Sequence, residues 1–252
     1  MYHYFQLFVA HKDTMKHVRL YQNTSLQIDD EITLDKYTSH HLVKVLRFPV
    51  GQNFTLFNGD GMDYTSKVLE AKKDCVVKVL SKEKNLSESK LNLTLAQGIA
   101  KGEKMDFLMQ KAVELGVNKI VPILSERCVV KLKGDKLTKR QSHWQKIVIG
   151  ACEQSGRSVV PEVVNPISLD EFLNQPVSNG FVLHHRSENT LLDVDSITEA
   201  SILIGPEGGL SEAEIAQATD AGYQSLLLGS RVLRTETASL VAIANMQLLW
   251  GS

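Results

Sequence analysis

Ser201-Ile202-Leu203-Ile204-Gly205-Pro206-Glu207-Gly208-Gly209-Leu210-Ser211 is the stretch on which the fold turns. An apolar run of strand type ends in a glycine-rich turn. Ser211, with Glu214 following, predicts the capping box of a helix, and Ala221-Gly222 supplies its stop. The pattern then repeats. Leu226 to Leu228 reads as a strand, and Leu228-Gly229-Ser230-Arg231-Val232-Leu233-Arg234-Thr235-Glu236-Thr237-Ala238 leads into a helix over Thr237 to Trp250. Open α/β sheets bind ligands in loops at the carboxyl ends of their parallel strands. Glycines there let backbone amides approach a ligand, because no Cβ intervenes. No Gly-Lys-Ser/Thr follows the first block and neither block is a G-x-G-x-x-G turn, which disfavours a triphosphate or dinucleotide cradle. The capping box also occupies the helix amides that an anion would need, so a neutral or cationic ligand fits better. A lone Gly/Pro block is equally readable as a tight turn. Arg231, Arg234 and Glu236, crowded between an apolar strand and an apolar helix, favour a bound ligand, because unpaired charge is costly there.

Upstream, the same alternation continues. Leu91 to Gln97 reads as a strand, Gly102 to Leu115 as a helix closed by Gly116, and Lys119 to Leu124 as a strand. Lys136 to Gln154 follows as a long helix, then a short strand around Val160, a helix from Ser168 to Leu173 and a strand from Phe181 to His184. This series predicts an α/β fold with a mainly parallel sheet covered by helices on both faces. The last helix is apolar nearly all round, which calls for burial on more than one face, by the core of a monomer or by a partner subunit.

The first eighty or so residues are different. Alternating runs at Ser25 to Ile28, Glu31 to Leu34, Asn53 to Phe57 and Val76 to Leu80, with the hairpin turn Asn58-Gly59-Asp60-Gly61, predict a small β-barrel. One helical insert, Ser39 to Leu46, points Leu42, Val45 and Leu46 inward and leaves His40, His41, Lys44 and Arg47 outside. The polar segment Ser81 to Lys90 has neither period and marks the boundary, so the expected domains are residues 1–82 and 91–252.

With 252 residues, 43% of them hydrophobic and 23% charged, the chain can build two modest cores without staples. Cys75, Cys128 and Cys152 are scattered, with no C-x-x-C pair, and read as buried thiols rather than a disulfide framework or a metal site. The start Met1-Tyr2-His3-Tyr4-Phe5-Gln6 lacks the order of a signal peptide, and no apolar run reaches membrane-spanning length, so a soluble cytoplasmic protein is expected. A formal net charge of -1 argues against a nonspecific polyanion binder. Lys131, Lys133, Lys136, Lys139, Arg140 and Lys146, with His143 and Trp144 among them, form a basic stretch that suits either a solvated helix face or RNA contact.

Gly205-Pro206-Glu207-Gly208-Gly209, the Leu228 to Ala238 block, Glu153-Gln154-Ser155-x-Arg157 before Pro161, Lys111-x-x-Glu114-Leu115-Gly116-Val117 and His41-Leu42-x-x-Val45-Leu46-Arg47 together resemble the bacterial RsmE family over nearly the whole chain. Those proteins are 16S ribosomal RNA uracil-N3 methyltransferases of the SPOUT superfamily. The chain departs from the family at its start, where many relatives carry an Arg near His3 or Tyr4. The resemblance implies a trefoil-knotted C-terminal domain with S-adenosylmethionine bent in the knot, a homodimer, and a PUA-like N-terminal barrel that helps to hold the 16S ribosomal RNA or small ribosomal subunit. It implies cofactor contacts at Leu183, Gly205, Glu207, Gly208, Leu228, Gly229, Val232 and Leu233, and RNA contacts at Arg47, Lys131, Lys133, Arg140 and Arg157, although Arg157, one turn beyond Glu153, is equally readable as a brace of its own helix end.

Methylation at uracil N3 needs the N–H proton removed and negative charge steadied on the flanking carbonyl oxygens. Arginine, with a fixed fork of donors and a permanent charge, suits the second task, which makes Arg234 and Arg231 the catalytic candidates. Glu236 is the carboxylate candidate for proton transfer; Glu207 and Glu236 are equally readable as ion pairs that hold loop shape. His184-His185 has no metal spacing and reads as structural. A methyltransferase of another RNA base, and a noncatalytic RNA-binding or assembly factor, remain the alternatives.

Overall fold

The computed structural model describes residues 18–130 and 134–251. Lys131, Lys133, His3 and Tyr4 lie outside the described residues.

The N-terminal sheet comprises β1 (Arg19–Tyr21), β2 (Glu31–Thr33), β3 (Asn53–Phe57), β4 (Met62–Ala71) and β5 (Cys75–Lys84) in the order β1-β3-β4-β5-β2. Alternate side chains, among them Leu20, Phe54, Leu56, Tyr64, Val68, Val77 and Val79, point to one core. Among the described residues no ladder joins β1 to β2, so these five strands are paired as a sheet with β1 and β2 at its ends. Ser25 to Ile28 is not a strand. The backbone turns there, with the Gln27 amide donating to Asp30 Oδ2 at 2.8 Å and Asp29 at φ 71°, and turn chemistry overrides a weak alternation. The strand β4 escaped the sequence reading because the buried Ser66 interrupts its inward series between Tyr64 and Val68.

The helical insert begins earlier than its apolar pattern predicts. Asp35 accepts from the Thr38 amide and caps α1 (Lys36–His40), which continues as a π turn over His41–Val45. The wider turn shifts the side-chain phase. Leu42 is fully buried, but Val45 is 61% exposed and Leu46 37% exposed, contrary to the inward placement expected of both.

The C-terminal sheet is wholly parallel. Its strands β6 (Asn92–Gly98), β7 (Lys119–Leu124), β8 (Glu162–Val163), β9 (Ile167–Ser168), β10 (Gly180–Leu183), β11 (Glu199–Ile204) and β12 (Tyr223–Leu226) run in the order β12-β10-β11-β6-β7-β8, with β9 also on β7. Alternation along each strand divides two cores. Leu93, Leu95, Phe181 and Ile202 face α2 (Glu103–Glu114), α3 (Asp135–Ser155) and α6 (Thr235–Trp250). Ala96, Val182 and Leu203 face α4 (Leu169–Leu173) and α5 (Glu212–Asp220). Helices therefore cover both faces, as expected for this class. The α5 capping box forms as predicted: the Ser211 hydroxyl accepts from the Glu214 amide and Glu214 Oε2 accepts from the Ser211 amide. Among the described residues, α6 is buried along one side. Ala242, Ile243, Met246 and Trp250 are buried, while Leu248 is 78% exposed and Leu249 40% exposed.

The two sheets meet at a polar junction. Arg19 donates twice to Asp63, at 2.9 Å each, and to Ser158 Oγ at 2.7 Å. Asn85 Nδ2 donates to Asp63 and to the Gly156 carbonyl, and the Ser158 hydroxyl donates to Asp63. Partial burial alone would raise the Asp63 carboxyl, but hydrogen bonds from Arg19, Ser158 and Asn85 outweigh it and hold it below the usual carboxylate range. A depressed folded value contributes stability above the unfolded value and loses it as pH falls through the folded one. The thermal-stability advantage of the native chain over Asp63→Asn is therefore expected to shrink as pH falls below about 4. Melting curves of both proteins between neutral and acid pH check this; an advantage that does not change with pH would refute it.

Candidate active site

Strand order sets the site. Because β10 lies between β11 and β12, with Val182 beside Leu203 and Leu183 beside Leu226, the chain segments that leave these three strands emerge together. They enclose a cavity of about 630 Å³, within the range of small-molecule sites. Its walls are His184 to Arg186 after β10, Gly205 to Leu210 after β11, and Leu227 to Arg234 after β12.

The first glycine segment is folded tightly on itself. A Cβ on Gly205 would lie 2.7 Å from the Gly209 carbonyl carbon and 2.7 Å from the Leu210 nitrogen, and one on Gly98 would fall on the Pro206 nitrogen. Gly205 is thus required by close backbone approach. In the second segment Gly229 has φ 123°, which a side chain would strain. Leu183, Leu228 and Leu233 supply apolar wall and are half-buried, whereas Val232 is 89% exposed. Cavity shape and backbone-rich walls fit an adenosyl group, whose base edge needs a donor and an acceptor and whose faces need apolar contact.

All the sequence-predicted cofactor positions, Leu183, Gly205, Glu207, Gly208, Leu228, Gly229, Val232 and Leu233, line this cavity, as do Arg231 and Arg234. Glu207 faces away from a ligand role in one respect: its Oε1 accepts from the Lys101 amide at 3.0 Å and lies 3.4 Å from Lys104 Nζ. Partial burial would raise this carboxyl, but the Lys101 amide and Lys104 prevail and hold it below its usual range. Glu207 thereby fastens the glycine segment to the start of α2. Arg234 is the exposed N-cap residue of α6, with Thr235 buried beside it. Glu236 is not among the lining residues. It is half-buried in the first turn of α6, and its Oε2 has no hydrogen-bond partner among the described residues.

The sequence reading missed several wall residues. Arg127 follows β7 and donates from Nη1 to the carbonyls of Gly208 at 3.1 Å and Leu210 at 3.4 Å, gripping the glycine segment from outside. Its place at the carboxyl end of a predicted strand was the available signal. His184 and His185, read as structural, line the cavity; Arg186 pairs with Glu212 at 3.0 Å, and His184 Nε2 lies 4.0 Å from Glu212.

The expected RNA contacts are scattered. Arg47 is exposed just past the π turn, at φ 49°. Arg140 is half-buried, its guanidinium 5.8 Å from the centre of the buried Trp144 ring, while Lys136, Lys139 and Lys146 are exposed on α3. Arg157 is a correction. Only 3% exposed, it donates to both oxygens of Glu88, at 2.9 and 2.6 Å, and to the carbonyls of Val113 at 3.0 Å and Val117 at 2.7 Å. All three guanidinium nitrogens are engaged inside the protein, where they close the C-terminal end of α2 and tie down the polar segment before β6. Arg157→Met is expected to cost about 3 kcal/mol of stability, since it leaves Glu88 and the Val117 carbonyl without donors, while the Val113 carbonyl keeps only the Gly116 amide. Denaturant titration measures it, and a loss below about 1 kcal/mol would contradict the brace.

Residues 87–247 match the family model described as RNA methyltransferase domain, and residues 34–80 match that described as RNA methyltransferase PUA domain. The fold and the cavity at its strand ends thus fall in a class of RNA methyltransferases. A ribosomal RNA small subunit methyltransferase E from Buchnera aphidicola (Schizaphis graminum) is 37% identical, with the match covering 92% of this chain and 96% of that one. A protein of the same name from Neisseria gonorrhoeae, solved bound to S-adenosyl methionine, superposes with TM-score 0.89 at 40% identity, covering 94% of this chain and 99% of that one. A Legionella pneumophila methyltransferase solved with bound SAM gives TM-score 0.91 at 38% identity, covering 94% and 99%. The chain belongs to the ribosomal RNA small subunit methyltransferase E family.

Proposed function

We propose that this protein transfers the methyl group of S-adenosylmethionine to N3 of one specific uridine in 16S ribosomal RNA, acting on the assembled small subunit. The observation that carries this reading is the cavity at the ends of β10, β11 and β12, with its glycine-lined walls and the guanidinium groups of Arg231 and Arg234. When bound, S-adenosylmethionine supplies an electrophilic methyl group on a sulfonium. The backbone of Gly205, Gly208, Leu228 and Gly229 binds the adenosyl part, and Leu183, Val232 and Leu233 exclude water from it. Arg231 and Arg234 would hold the pyrimidine and steady the charge on its carbonyl oxygens as N3 gives up its proton, with Glu236 the candidate acceptor; N3 would then take the methyl as the S–CH3 bond breaks and the donor leaves as its neutral thioether.

Arg47, the half-buried Arg140 and the exposed lysines of α3 contact RNA phosphates and position the complex, and Lys131 and Lys133 share that role. The exposed Leu248 and Leu249 of α6 meet a second copy of the chain in a homodimer. The segment between β12 and α6 forms the trefoil knot implied by the family resemblance. The enzyme works in the cytoplasm with the ribosomes; among the described residues no helix is long and apolar enough to cross a membrane. Labelled methyl transfer to naked 16S RNA and to intact small subunits, followed by mass spectrometric mapping of the modified base, tests the reading. Transfer to uridine N3 in intact subunits is the expected result; no transfer to either, or transfer to another base, overturns it.

A further inference from the structure

Gln97, at the end of β6, is the one fully buried glutamine among the described residues, and every polar atom of its side chain is engaged. Its Nε2 donates to the Gly98 carbonyl at 2.9 Å, to Thr235 Oγ1 at 2.9 Å and, more weakly, to the Gly205 carbonyl at 3.3 Å. Its Oε1 accepts from the Ser239 hydroxyl at 2.6 Å. The Thr235 hydroxyl in turn donates to the Gly205 carbonyl at 2.6 Å, and the Ser239 hydroxyl also reaches the Thr235 carbonyl at 2.9 Å.

These contacts join three parts of the chain that sequence separates widely. Gly205 opens the first glycine segment of the cavity. Thr235 begins α6 and directly follows Arg234, whose backbone is the N-cap of that helix. Gln97 sits between them on the neighbouring strand, in register with Ile204, the residue before Gly205. The fit leaves little freedom, since Gly98 packs so closely on Pro206 that any side chain there would displace it. A buried amide in an apolar layer is destabilising unless all its partners are in place, and when they are it selects one arrangement over its neighbours. An apolar residue of the same size would fill the space without fixing the distance between the loop and the helix start.

We infer that Gln97 is a positioning residue for methyl transfer: through Thr235 and Gly205 it locks the loop that holds the donor to the helix start that carries Arg234. It touches neither ligand. Its effect is on alignment, to which transfer rates are sensitive at the scale of an ångström. The inference rests on the proposed function.

The test uses the full chain. Gln97→Met keeps the volume and removes the hydrogen bonds; Thr235→Val exchanges the bridging hydroxyl for a methyl; Thr235→Ser keeps the hydroxyl. Each protein is followed by thermal melting, by calorimetric titration with S-adenosylmethionine, and by labelled transfer to small subunits at saturating donor. Gln97→Met and Thr235→Val are expected to melt cooperatively and to bind the donor within about threefold of the unaltered protein. Their saturating transfer rates are expected to fall by about tenfold to a hundredfold, with Thr235→Ser restoring most of the loss. Saturating rates equal to the unaltered protein in either folded variant overturn the inference. Loss of cooperative melting in both also overturns it, because the network would then serve stability alone. The unaltered protein separates the failures: absence of transfer there sinks the proposed function and this inference together, whereas transfer indifferent to the variants sinks only the inference.

Discussion

Arg234→Ala is expected to lower the transfer rate at saturating donor by about a hundredfold to a thousandfold, the loss typical when one preorganised donor to a developing oxyanion is removed. The side chain lines the cavity from the N-cap of α6, so its base is fixed by a buried helix turn while its head is free to meet a substrate. On the proposed function, charge would develop on the uracil carbonyls only as N3 loses its proton. The interaction therefore belongs to the transition state, and donor affinity should stay within about threefold. Arg234→Lys should recover only part of the rate, because a point charge cannot reproduce a planar fork. Single-turnover transfer and donor titration on the same preparation check the division. A variant that transfers normally at saturation but binds the donor poorly would move Arg234 from the pyrimidine to the donor.

Gly205→Ala should have the opposite signature. The added methyl would lie 2.7 Å from backbone atoms of Gly209 and Leu210, which cannot swing aside as a flexible side chain would. Forcing extra volume into a packed site costs about 1–3 kcal/mol. Here that strain falls on the ligand-holding loop, so donor affinity should drop by about fivefold to a hundredfold. The melting temperature should fall by a few degrees as well, because the segment is held from several sides, by Arg127 at the Gly208 and Leu210 carbonyls and by Glu207 at Lys101, and cannot relax fully. Calorimetric titration with S-adenosylmethionine decides it; unaltered affinity would show that this backbone does not cradle the donor.

Much of the C-terminal half was legible because local chemistry and tertiary demand agree there. Lys119–Leu124 is a strand in the sequence pattern and in the fold, and the Ser211–Glu214 box caps a helix in both. The glycine segments were legible for the same reason. What the pattern cannot carry is adjacency. Arg127, Lys104 and His184 join the cavity because β7, α2 and β10 are brought beside the glycine segments by a strand order that does not follow the chain. Arg157 shows the reverse error. An arginine after a helix is readable as a surface contact or as a brace of its own helix end, and only the packing of α2 and Glu88 around it shows a buried brace of a different helix. In the N-terminal half, the π turn after α1 shifted Val45 and Leu46 outward, and no side-chain periodicity announces an added residue per turn.

The order β12-β10-β11-β6 has a consequence for biosynthesis. The donor pocket draws its walls from segments that end with α6, which follows the other described elements along the chain, and α6 also covers apolar side chains of the central strands. A chain that stops short of Thr235 would lack the residue that Gln97 and Gly205 grip, and would leave Phe181 without its stacking partner Trp250. Copies cut short before α6 would thus present sticky surface and no working pocket, so that only chains that include this helix compete for the methyl donor.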